Sequence, residues 1–155
     1  MQISRRYYSS VSGWPHRAKP GILAATMTSE GEATMTDLSV TELLEASIAR
    51  VWNERDDDTR LQAIGDLYHP DATIYEPERA VTGHAEISAV VAGVLKDMPP
   101  GFRFEVSAPA LGHHGVAVAR WHGGPPGQVI VSGADTARMV DGKIHEHWFF
   151  FDPAA

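Results

Sequence analysis

Residues 128–152 read QVIVSGADTARMVDGKIHEHWFFFD. Asp141-Gly142 lies between two alternating runs, and that pattern is a strong signal for a two-residue β-hairpin. In the first run, Gln128 to Val140, the period of two puts Val129, Val131, Gly133, Asp135, Ala137 and Met139 on one face. Ile130, Ser132, Ala134, Thr136 and Arg138 take the other. In the second run, Lys143 to Asp152, His145, His147, Phe149 and Phe151 share a face, with Ile144, Glu146, Trp148 and Phe150 opposite. Asp135 is the only charged group in an apolar row. An ionised carboxylate there is costly unless it is paired or hydrogen-bonded. Such an acid suits proton transfer; the plainer reading is a structural Asp bonded to the backbone or a neighbour. His147 stands close enough to the turn to reach Asp135 across or diagonally. An Asp-His pair can orient the imidazole or share a proton with a substrate, whereas a satisfied core histidine is the alternative.

Working back from the hairpin, the alternation continues. Val116 to His122 predicts another strand, bounded by a Gly123–Gly127 loop and a His113-His114-Gly115 turn. Phe102, Phe104, Val106, Ala108 and Ala110 predict a strand face before that turn. Further upstream the period changes to that of a helix. Gly83 opens one with Ile87, Val90, Val91, Val94 and Leu95 facing a core, closed by Pro99-Pro100-Gly101. Asp71 to Glu76 reads as a short strand ended by Pro77. Asp56-Asp57-Asp58 caps a helix with Leu61, Ile64, Leu67 and Tyr68 as its stripe, stopped by His69-Pro70. Ser39-Val40-Thr41-Glu42 is a capping box for a first helix, from Val40 to about Asn53. The order is helix, helix, strand, helix, then four antiparallel strands. That order predicts an α+β fold, with helices segregated from a curved sheet and a cavity between them.

Glu76 ends its strand before Pro77, where side chains rim a pocket mouth; a solvated loop acid is the plain reading. Trp52, Tyr68, Tyr75 and Trp121 are candidates to line a pocket or donate hydrogen bonds, and equally candidates for plain core. The histidine spacings match no zinc pattern. No serine elbow, phosphate loop or dinucleotide fingerprint is present.

Composition bounds the rest. The chain has 155 residues, one domain's worth, and a formal net charge of −7. An acidic surface disfavours nucleic acid and anionic membranes. No cysteine is present, which excludes disulfides and thiolate chemistry, and no apolar run approaches the length of a membrane span. Residues 1–29 carry Arg5, Arg6, Arg17 and Lys19 and no acid. Residues 1–36 are read as a tail outside a domain at 37–155. The alternatives for the tail are an organelle transit peptide within 1–29, and translation starting at Met27 or Met35. A cytoplasmic location is expected.

Two segments carry a family resemblance. One is Leu67-Tyr68-His69-Pro70-Asp71-Ala72-Thr73-Ile74-Tyr75-Glu76-Pro77 with Gly83-His84-Ala85-Glu86-Ile87; the other is Gly133 to Ile144 with His147-Trp148 to Asp152. With Trp52-Asn53-Glu54-Arg55-Asp56, they resemble the nuclear-transport-factor-2-like superfamily, SnoaL-like branch, over roughly residues 39–152. The resemblance implies a cone-shaped sheet wrapped over three N-terminal helices around an apolar pocket. Similarity to ketosteroid isomerase puts Glu76 at the general-base carboxylate and Asp135 at the protonated acid of the oxyanion hole. Trp52 falls at that enzyme's oxyanion tyrosine, so the tyrosine donor is missing. Similarity to SnoaL-like cyclases makes Asp135 the acid/base of an intramolecular aldol closure. Relatives resembling limonene epoxide hydrolase need a second Asp on the last strand, where Phe149 stands, and an Arg two residues before Asp135, where Gly133 stands.

The resulting expectation is an enzyme of cyclase or isomerase type, without cofactor or metal, acting on a small apolar carbonyl-bearing molecule. Asp135, helped by His147, moves a proton, and Glu76 is a second acid/base. Trp52, Tyr68, Phe104, Trp121, Phe149 and Phe151 shape the pocket. The rival is a non-catalytic ligand-binding or dimerisation module of the same fold; lyase, hydratase and epoxide hydrolase readings also stand. A homodimer is expected, with Ile144, Trp148 and Phe150 on the outer sheet face.

Overall fold

The computed structural model describes residues 38–154. The tail at 1–36, with any transit peptide in it, lies outside the described residues.

Helix α1 (Val40–Arg50) opens on the expected capping box. Ser39 Oγ accepts the Glu42 N–H at 3.3 Å, and the Glu42 carboxylate accepts the Ser39 N–H at 2.8 Å. The helix ends three residues before Asn53, which has another task. The Asn53 side chain accepts the Phe104 N–H at 2.7 Å and donates to the Phe104 carbonyl at 2.8 Å, tying the helix exit to the sheet. Helix α2 (Asp57–Leu67) is capped by Asp56, which accepts the Thr59 N–H at 2.8 Å. It passes straight into strand β1 (Tyr68–Glu76), which starts three residues earlier than predicted. Pro70 disfavours helical geometry at His69, so the chain is already extended there.

Strand β2 (Arg79–Thr82) returns antiparallel along β1. Four mostly exposed residues gave it no readable period. Helix α3 (His84–Lys96) follows Gly83, whose φ of 100° suits glycine. The strand expected over 102–110 is only β3 (Arg103–Val106), and a short strand not expected, β4 (Leu111–His113), follows it. Pro109 lies between them and has no N–H to give a ladder. Both pair with β5 (Val116–Gly124), β3 along one end and β4 along the other. Strand β6 (Val131–Val140) starts three residues later than predicted, because Gln128 turns back onto the Pro125 carbonyl. Asp141 and Gly142 sit at φ 51° and 72°, as the predicted hairpin turn requires, and strand β7 (Lys143–Phe151) closes the chain.

The seven strands form one sheet in the order β2-β1-β7-β6-β5-β3, with β4 also on β5. All pairings are antiparallel except β1 with β7, which is parallel. The fold is α+β: three helices against a mostly antiparallel, curved, open sheet. Leu44 and Ile48 of α1 and Val51 at its C-terminal cap, Ile64 of α2, and Ile87 and Val91 of α3 are buried with Ile74, Ala117, Ala119 and Ala137 of the sheet. Among the described residues no helix is long and apolar enough to cross a membrane.

One irregularity resets the last strand. Met139 pairs with Ile144, but Arg138 pairs with Glu146. His145 is the extra residue of a β-bulge, and the parity of the strand changes across it. Ile144, expected on the outer face, is therefore fully buried. His147 and Phe149 keep the inward side that alternation gave them.

Candidate active site

Asp135 lies mid-strand on β6, with Ala119 of β5 and Phe149 of β7 as its direct cross-strand partners. Its hydrogen bonds come from the diagonals, which long side chains can span. On one side Trp121 Nε1 donates to Asp135 Oδ1 at 2.6 Å. On the other, His147 Nε2 lies 3.0 Å from Asp135 Oδ2. Glycine opens the first path. Gly133 pairs with Trp121, and a Cβ on it would lie 2.7 Å from the indole ring and 2.2 Å from the Phe150 carbonyl oxygen. Only a bare backbone lets the indole lie across β6 and aim its N–H at Asp135. The carboxylate is 2 % exposed and pinned at opposite corners, so the free direction is inward, off the sheet.

Behind Asp135 a second layer of polar groups runs to α1. His147 Nδ1 is 2.8 Å from Tyr68 Oη, and Tyr68 Oη is 2.7 Å from Ser47 Oγ. Trp52 Nε1 points at the same hydroxyl from 3.4 Å. Ser47, Tyr68 and His147 are each fully buried. Burial pushes the Tyr68 phenol well above its ordinary range, and the Asp135 charge adds to the rise. Hydrogen bonds from Ser47 and Trp52 act against it. Nothing in the sequence singled out Ser47. Its one legible sign was a polar residue on the apolar stripe of α1, one position before Ile48.

A cavity of about 170 Å³ opens in front of Asp135. Of the residues expected to line it, Trp52, Phe104, Trp121, Phe149 and Phe151 do so. Ile48, Val94, Met98 and Val131 complete the apolar wall; sequence patterning had given Val94 as a core residue and Val131 as a strand residue, and had not picked out Met98. Tyr68 was expected on the wall and is not there; it sits under His147, one layer back. His147 also lies off the wall, and it meets the cavity only through Asp135. Glu76 does reach the wall, at the end of β1, where Arg79 of β2 pairs with its carboxylate. Asp135 and Glu76 are thus the two ionisable groups facing the cavity among the described residues. No cluster of three or more His, Asp or Glu among those residues is placed to hold a metal ion.

The chain can now be set beside known proteins. The family model described as a SnoaL-like domain matches residues 44–147. This chain belongs to the SnoaL-like family. A candidate isomerase of that family from Agrobacterium tumefaciens is 23% identical, with a TM-score of 0.66 over 72% of this chain and 95% of its own. AclR, a candidate hydroxylase from Streptomyces galilaeus, is 25% identical, with a TM-score of 0.53 over 74% and 77%. A candidate polyketide cyclase from Sinorhizobium meliloti is 16% identical, with a TM-score of 0.54 over 69% and 92%. No curated protein matches the chain in sequence. The three structural neighbours carry three different activity names, so the shared fold does not choose among reactions.

Proposed function

We propose that this SnoaL-like protein is a cofactor-independent acid/base enzyme of cyclase or isomerase type. Its substrate is a small apolar molecule bearing a carbonyl group. One observation carries the reading: among the described residues, the one buried carboxylate on the apolar cavity wall lies within hydrogen-bond reach of Trp121 Nε1 and His147 Nε2, with one direction left open to a ligand. A structural aspartate is satisfied by its donors and faces packed atoms; Asp135 faces a cavity.

In this reaction the Asp135 carboxylate takes a proton from the carbon next to the carbonyl. The electron pair of the broken C–H bond passes to the carbonyl oxygen as an enolate. The enolate carbon then attacks a second carbonyl of the same molecule, whose oxygen takes the proton back from Asp135, or the proton returns from Asp135 to another carbon. The first outcome is a ring closure and the second an isomerisation. Glu76 is placed on the same wall to serve as second acid/base, while His147 positions Asp135 without touching substrate. The apolar wall of Trp52, Phe104, Trp121, Phe149 and Phe151 keeps water from the enolate. The cavity suits a group of about one ring, since an engineered apolar cavity of about 150 Å³ takes benzene.

The test is hydrogen–deuterium exchange at the carbon next to the carbonyl, followed by NMR in heavy water, over a panel of small cyclic ketones and diketones. Wild type accelerates the exchange for members that fit. Asp135→Asn, shown to be folded by circular dichroism, loses the acceleration by about 10²- to 10⁴-fold. An unchanged rate in the folded variant removes Asp135 from the reaction, and no acceleration by wild type on any member favours a non-catalytic binding module.

A further inference from the structure

The layer behind Asp135 decides what Asp135 can be. Tyr68 Oη has one proton and three neighbours: Trp52 Nε1, Ser47 Oγ and His147 Nδ1. Indole nitrogen only donates, so Trp52 gives its proton to Tyr68. The Tyr68 proton then goes either to His147 or to Ser47. If it goes to His147, Ser47 donates to Tyr68 and every polar atom of the group is used. If it goes to Ser47, the Ser47 proton must find another acceptor. Among the described hydrogen bonds Ser47 Oγ has no partner but Tyr68, and the residue is fully buried. A buried donor left unpaired is costly, so the first arrangement wins. Burial also keeps the Tyr68 phenol protonated through the neutral range, so its one donor is always present.

We propose that Tyr68, held by Ser47, is a positioning residue that fixes the tautomer of His147 and thereby keeps Asp135 ionised. A proton donated by Tyr68 leaves His147 Nδ1 bare. The ring proton of neutral His147 is then on Nε2, which points at Asp135 Oδ2. With Trp121 donating to Oδ1, both carboxylate oxygens accept, and Asp135 faces the cavity as a base. The opposite tautomer reverses this. A bare Nε2 would need the proton on Asp135, and the residue would face the cavity as an acid, unable to take a proton from carbon. The choice between base and acid on the wall is made two side chains behind it.

The statement about the base rests on the proposed function; the statement about the tautomer does not. The experiment is a ¹H–¹⁵N correlation spectrum of the histidine rings in the ligand-free protein at neutral pH. His147 is assigned by the loss of its signals in His147→Gln. The expected spectrum has a protonated Nε2 and a bare, hydrogen-bonded Nδ1. In Tyr68→Phe the Nδ1 resonance moves toward that of a free lone pair. On any ketone that wild type exchanges, kcat then falls by about tenfold, the rate equivalent of one hydrogen bond, with KM kept. A protonated Nδ1 in wild type overturns the proposal, and that spectrum needs no variant to fold. An Nδ1 resonance unmoved in folded Tyr68→Phe overturns it too. If Nδ1 is bare as expected while Asp135→Asn exchanges at the wild-type rate, Asp135 falls as the base and the tautomer assignment stands.

Discussion

Tyr68 is a group whose proton matters to the fold as well as to the site. Its folded-state pKa lies above the ordinary 10.0 because burial penalises the phenolate. The unfolded chain therefore loses this proton first as pH rises, and the folded chain keeps it. The stability linked to Tyr68 is fully present below about pH 10 and is lost as pH climbs toward the folded value. Urea titrations between pH 8 and pH 11 should show wild-type stability falling steeply above pH 10, and Tyr68→Phe falling less steeply. Equal slopes would mean that the hydroxyl is not protected as its burial requires. At this scale the sequence was readable where a residue broke a pattern. Asp135 stood out because it was charged in an apolar row, and His147 because it shared the facing row. Tyr68 was expected on the pocket wall, since nothing local tells a wall residue from one a layer deeper. Ser47 read as a helix serine, because its partner lies 21 residues away. Hydrogen bonds that cross elements leave no period in either element.

Elements were legible where their signals were local. The α1 capping box, the Asp56 cap and the Asp141-Gly142 turn each use residues within three positions of one another, and each was read from the chain. The bulge at His145 was not, because it depends on register with β6. Its effect can be measured. Strict alternation puts Ile144 with Phe150 on the outer face, whereas the bulge puts Ile144 in the core and leaves Phe150 more than half exposed. Ile144→Ala should cost about 2–5 kcal/mol in urea unfolding, and Phe150→Ala no more than about 0.5 kcal/mol. Similar losses at the two positions would mean that the strand runs without its bulge. Arg60 shows the same limit for helices. It sits in the first turns of α2, where a charge reads as a solvated face, yet it is 1 % exposed. Its Nε donates to Ser88 of α3 at 2.9 Å and its Nη1 to the Glu54 carbonyl at 2.8 Å. With Asp57 of its own helix, which accepts from Nη2, the partners that admit this charge to the interior come from three separate segments.

For the molecule as a whole, the cavity sets what can bind. Its wall offers aromatic and aliphatic surface, two carboxylates and no cation. A neutral ring ketone should enter, and a ring of the same size bearing a carboxylate should be repelled. Trp52 and Trp121 on the wall make intrinsic fluorescence a direct reporter of occupancy. The ketone should quench it and raise the melting temperature, by about 2.7 kcal/mol of added stability at a hundredfold excess over its Kd. The carboxylate should do both at least about tenfold more weakly, a difference of about 1.4 kcal/mol. Equal binding would show that a cation reaches the site. The general architecture was legible in the sequence because helices and antiparallel strands are written in local periods. The parallel pairing of β1 with β7 was not, because no period records which distant strand a strand will join. That pairing also sets an order of events during synthesis. β2 is the one other strand that β1 pairs with, and neither reaches the main sheet except through β7. Ser47 and Tyr68 leave the ribosome early, and Trp121 and Asp135 follow, but His147 comes only with the final strand. A nascent chain stopped before Lys143 holds both ends of the proton network and lacks the imidazole that joins them. Joining the two paired strands that lie farthest apart in sequence also completes the site, and long-range closures of this kind are slow.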